Sequence, residues 1–106
     1  MAIKSAEELL TLVVERLKPM KPKKVILFGS YAKGEADEFS DLDIIVVAET
    51  NLKFIDRIGK AIEFIDLPMA VDCLVYTPDE FEKMIKDENP FIQKALEEGI
   101  VVELEN

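Results

Sequence analysis

The apolar residues of this chain change period several times, and each change marks an element. Leu9, Leu10, Leu12, Val13 and Leu17 recur at near-helical spacing. Ser5-Ala6-Glu7-Glu8 precedes them as a capping box, in which a Ser side chain and a Glu three residues on satisfy each other's backbone amides. Pro19, Met20, Lys21 and Pro22 end that helix. Lys24 to Phe28 is a short apolar run that reads as a buried strand, and Gly29-Ser30 breaks it. One helical turn is expected over Tyr31 to Lys33, stopped by Gly34. Glu35 to Ser40 is a polar, acidic loop, and Asp41 to Ala48 reads as a second strand, β-branched and apolar toward its end.

Leu52 to Ile65 carries apolar residues at Phe54, Ile55, Ile58, Ala61, Ile62 and Ile65, the pattern of an amphipathic helix. Met69 to Tyr76 is a third strand. Thr77-Pro78-Asp79-Glu80 is a strong helix start, with a Thr cap, Pro at the first position and acids in the first turn. Asn89-Pro90 starts another helix, with Phe91, Ile92, Ala95 and Leu96 on one face and Gly99 as its stop; Ile100 to Leu104 is a last short strand. This order predicts an α/β fold, a mixed sheet of about four strands with helices packed mainly on one face, forming one domain over residues 1–106.

Charge narrows the possible partners. The chain has 22 acidic and 13 basic residues, no His and a net charge of -9. As a whole it should repel a nucleic-acid backbone, so no direct nucleic-acid binding is expected. A basic protein or a metal-bound nucleotide suits this charge better. No apolar run reaches the roughly 18 residues of a membrane span. The stretch from Met1 to Glu8 has acids where a signal peptide would be apolar, which leads to an expectation of a cytoplasmic protein. Cys73 is the single cysteine, which fits a reducing compartment; it alternates with Asp72 and is expected to point into the core.

Candidate chemistry gathers at three points. Asp41 and Asp43 lie two apart on a predicted strand, so both carboxylates share one face. Like charges so close repel unless a cation sits between them, and a hard ion such as Mg²⁺ prefers oxygen ligands of this kind. Asp72 is the one acid in the third strand; it either completes a three-carboxylate cluster or is an edge-strand acid facing water. Gly29 lets the backbone approach a phosphate closely, and the following turn with the Ser30 hydroxyl can donate hydrogen bonds to it. Ser30 could equally serve as a helix cap, and the two uses share one geometry.

Phe28-Gly29-Ser30-Tyr31-Ala32-Lys33-Gly34 followed by Ser40-Asp41-Leu42-Asp43 resembles the Gly-Ser…Gly…Ser-Asp-x-Asp motif of the DNA polymerase β-like nucleotidyltransferase superfamily, and most of all its minimal nucleotidyltransferase branch. The resemblance implies that Gly29 and Ser30 contact a triphosphate, with Lys33, where many members have Arg, as a further nucleotide contact. It implies that Asp41, Asp43 and Asp72 are the catalytic, Mg²⁺-binding acids and that ATP is the substrate. Minimal domains of this branch typically accompany a helical HEPN toxin. The implied function is then an antitoxin that transfers AMP from ATP to a tyrosine of that toxin, in a hetero-oligomer. A contact-only antitoxin and an enzyme acting on a small molecule are the alternatives.

Overall fold

The computed structural model describes residues 5–105; residues 1–4, part of the N-terminal stretch considered above, and residue 106 lie outside it. The elements run α1 (Ala6–Arg16), a 3-10 turn (Lys18–Met20), β1 (Lys24–Phe28), α2 (Ser30–Lys33), β2 (Leu42–Val47), α3 (Phe54–Ile65), β3 (Val71–Tyr76), α4 (Pro78–Lys86), α5 (Pro90–Glu98) and β4 (Ile100–Glu103). Their starts follow local chemistry. Ser5 and Thr77 each close a capping box, with Glu8 and Glu80 reaching back to the cap amide. Asn89 caps α5 through its side chain, which accepts from the Ile92 amide at 3.2 Å.

The four strands form one sheet in the order β3-β2-β1-β4. β1 runs antiparallel to both β2 and β4, and β2 runs parallel to β3 across the α3 crossover. Alternation along the strands then sorts side chains onto two faces. Val25, Leu27, Leu42, Ile44, Val46, Cys73 and Val75 meet α1 and α3 in the larger core, which also takes in Tyr31 of α2. Ile26, Ile45 and Val47 meet Phe81 of α4 and Ile92 and Ala95 of α5 in a smaller one. The bulk of the helical packing is on one face, as expected; α4 and α5 add a thinner layer opposite. Each fully buried Leu, Ile or Val contributes about 1.5–3 kcal/mol by leaving water, so the larger core carries most of the stability.

α3 departs from its sequence pattern. Ile55 is 72% exposed and Ile62 is also exposed, although both belong to the expected apolar face. The buried positions are Arg57, Ala61 and Ile65. Arg57 is the buried charged side chain among the described residues. It donates to the Leu52 carbonyl at 2.8 Å, the Val75 carbonyl at 3.3 Å and the Glu80 carboxylate at 2.7 Å. These bonds tie α3 to β3 and α4, so that Arg57 shares the inner face with Ala61 and Ile65. Among the described residues no helix is long and apolar enough to cross a membrane.

Candidate active site

Three chain segments meet where β1 ends and β2 and β3 begin. The parallel register sets Asp43 directly opposite Asp72, and the antiparallel register sets Asp43 opposite Phe28. Asp43 and Asp72 therefore share the face that α4 and α5 cover, but below the apolar cluster, which begins at Ile45. Asp43 is half-buried and Asp72 is exposed. The premise that Asp72 is a carboxylate stranded in an apolar strand does not hold, because β3 is an edge strand and leaves it in water. The register brings it to Asp43 all the same.

Asp41 lies one residue outside β2 and is exposed. Its charge still acts on Asp43. Burial pushes the Asp43 carboxyl above the ordinary carboxylate range, and the negative charges of Asp72 and then Asp41 push it further, as does a side-chain hydrogen bond to Asp72. These donors are all oxygens, which suit a hard divalent cation, and a cation between Asp43 and Asp72 would relieve their repulsion. Among the described residues no three acidic, His or Cys side chains are drawn together as a ready-made metal cage. The fit to Mg²⁺ thus rests on the Asp43–Asp72 pair, with Asp41 beside it.

Gly29 interlocks with this pair. Its φ is +75°, a conformation that favours glycine, and a Cβ there would run into the Asp43 carboxylate. The Ser30 hydroxyl has no hydrogen-bond partner among the described residues and is free to donate. Tyr31 is buried in the larger core and acts as packing. Before Asp41, the loop is held by the Asp37 carboxylate, which accepts from the Phe39 amide at 2.9 Å and the Ser40 hydroxyl at 3.2 Å. Phe39, in the same loop, stands 84% exposed.

Lys33 does not simply extend into solvent. Its ammonium pairs with Glu98 of α5 at 3.4 Å. Between them and the end of β1 is a cavity of about 270 Å³, lined by Phe28, Gly29, Lys33, Phe91, Lys94 and Glu98, with Ala95 behind. The sequence placed Phe91 and Ala95 on an apolar helix face but gave no role to Lys94 or Glu98. Their spacing with Phe91 at i, i+3 and i+7 was the available signal.

The sequence matches the nucleotidyltransferase domain family over residues 6–102. The chain belongs to that family. It is accordingly a nucleotidyltransferase in enzymatic class, and two curated relatives agree. A Haemophilus influenzae protein named Probable protein adenylyltransferase MntA is 36% identical over 97 residues, covering 87% of this chain and 83% of the relative. A Methanocaldococcus jannaschii protein that also carries a protein adenylyltransferase name is 36% identical over 81 residues, covering 76% and 77%. Among solved structures, a Sulfolobus solfataricus protein described as a nucleotidyltransferase superposes with a TM-score of 0.52 at 27% identity, covering 77% of this chain and 82% of that one. A chain from the crystal structure of a toxin-antitoxin with AMP-PNP gives 0.58 at 24% identity over 86% and 69%, a likeness of fold. This nucleotidyltransferase thus shares its α/β architecture and mixed sheet with solved relatives.

Proposed function

We propose that this nucleotidyltransferase is the antitoxin of a toxin–antitoxin pair in the cytoplasm, and that it transfers AMP from MgATP to a tyrosine of a HEPN-type helical toxin. The observation that carries the reading is the cross-strand pair Asp43–Asp72 packed against Gly29. It unites a cation-binding and a phosphate-binding element, and nucleotidyl transfer requires both. The names of the relatives as protein adenylyltransferases support a protein acceptor. The fold neighbour solved as a toxin-antitoxin with an ATP analogue supports the nucleotide and the type of partner. The net charge of -9 supports docking on a basic protein.

In this reading Asp41, Asp43 and Asp72 hold Mg²⁺, which supplies charge neutralisation on the polyphosphate and lowers the pKa of the acceptor hydroxyl. Gly29, Ser30 and Lys33 hold the β- and γ-phosphates. The tyrosine oxygen forms a bond to the α-phosphorus as the bond from that phosphorus to the bridging oxygen breaks. Pyrophosphate leaves, and the phenolic proton passes to Asp72, which stands exposed beside the half-buried Asp43.

The test is to incubate the chain and its partner with Mg²⁺ and ATP labelled at the α-phosphate. Label on a partner tyrosine is expected. Silencing of the partner with no label transfer would replace this reading with a contact-only antitoxin. Labelled small hydroxylated acceptors with an unlabelled partner would replace it with a small-molecule enzyme.

A further inference from the structure

We propose that Lys94 of α5 is a second polyphosphate-binding residue, closing with Lys33 around the β- and γ-phosphates in the cavity beside Gly29; this rests on the nucleotide-transfer reading above. The first argument is charge. A triphosphate entering this site meets three carboxylates on a chain of net charge -9 and needs positive charge on its other side. The cavity supplies it, since Lys33 and Lys94 both line it from different helices. Lys33 is held by Glu98 at 3.4 Å, whereas Lys94 makes no ion pair among the described residues. What singles out Lys94 among the unpaired lysines of the described residues is that it lines the cavity beside Gly29 together with Lys33.

The second argument is position. Phe91 meets Phe28 edge to face, with ring centroids 5.5 Å apart, and Ala95 is buried behind it. These contacts fix the first turns of α5 against the end of β1, so Lys94 springs from a rigid base one turn along the same face. Phe28 and Gly29 are at once the floor of the cavity and the direct neighbours of Asp43. The cavity therefore adjoins the carboxylates, as the tail of a nucleotide must when its α-phosphate sits over them.

The third argument is size and surroundings. At about 270 Å³ the cavity falls short of the ~300–1,000 Å³ typical for a complete small-molecule ligand. It suits one end of a nucleotide. Phe28 and Phe91 give the cavity apolar walls beside the two lysines. Glu98 then acts as a stand-in anion: it occupies Lys33 until the polyphosphate takes its place.

The test is calorimetric titration of the full chain, wild type, K94A and K94R, with three probes: MgATP, magnesium tripolyphosphate and AMP. K94A is expected to weaken MgATP and tripolyphosphate alike by about tenfold, the loss of one charge-assisted contact, and to leave AMP unchanged. K94R is expected to restore most of the loss. Unchanged tripolyphosphate binding in K94A overturns the assignment. So does an equal loss for AMP and MgATP, which would mean that the cavity holds the nucleoside end. Wild type that binds neither MgATP nor tripolyphosphate would instead defeat the nucleotide-transfer reading itself.

Discussion

Two groups of charged side chains sit at opposite ends of β3 and are built on opposite terms. At the far end, beside Val75, Arg57 is 8% exposed and satisfied, with two carbonyls, one carboxylate and the Phe54 ring, 5.8 Å from its Cζ, around it. At the near end, Asp72 faces Asp43 with Asp41 alongside, three charges of one sign. The first group lowers the energy of the folded chain. The second raises it, and nothing in the fold requires three acids there. A structural charge cluster is one that the protein completes by itself; a functional one is left for a ligand to complete. The titration shifts carry the same contrast. The hydrogen bond from Arg57 holds the Glu80 carboxyl below its ordinary range, helped by the Thr77 amide, whereas Asp43 is pushed above it.

The largest effect that would break this comparison is catalytic. Asp41→Asn with Asp43→Asn should cut label transfer by roughly a thousandfold or more, since metal charge stabilisation is worth several kcal/mol. Its melting temperature should not fall; a double variant that unfolds would show these acids to be structural. Arg57→Ala should do the reverse. Loss of charge-assisted bonds should cost about 2 kcal/mol and lower the melting temperature by about 10 °C, with MgATP affinity in the folded protein unchanged. An affinity that falls with stability would join the two groups into one.

Asp72→Asn is a smaller test. Removing a like charge directly across the sheet should stabilise the chain by roughly 0.5 kcal/mol in urea titrations, even as transfer is lost. The smallest effect is in pH. Glu80, whose folded pKa is lowered, gives stability that is present above its ordinary 4.5 and is lost as pH falls through its folded value. Asp43, whose folded pKa is raised, favours the fold fully only below its ordinary 3.8, and that contribution is lost as pH rises through its folded value. The stability gap between wild type and Glu80→Gln should therefore shrink on acidification, and that between wild type and Asp43→Asn should open as pH rises. The signs separate the groups: as pH rises wild type should gain on Glu80→Gln and fall behind Asp43→Asn, and two gaps of the same sign would overturn the contrast.

Local signals carried most of the elements. β1 begins and ends at Lys24 and Phe28 as the apolar run does, and the boxes at Ser5 and Thr77 close as their spacing predicts. Short-range hydrogen bonds decide those features, and the sequence states them directly. Side chains that answer to distant partners were harder to read. Ile55 and Ile62 look as if they belong inside, but Arg57 takes the inner position because Leu52, Val75 and Glu80 offer it acceptors. An arginine four residues from Ala61 and eight from Ile65 was the visible clue. Asp72 was legible as an odd acid, but its partner was set by the register across the α3 crossover. Lys94 and Glu98 were silent because no local pattern reveals that α5 lies over the end of β1.

The clash at Gly29 has a consequence over evolutionary time. The space that any other side chain would need there is the space in which Asp43 sits. A chance replacement of the glycine would not change the turn alone; it would displace the Asp43 carboxylate in the same step. The two positions are therefore coupled: a larger residue at 29 is tolerated only where residue 43 has moved or shrunk.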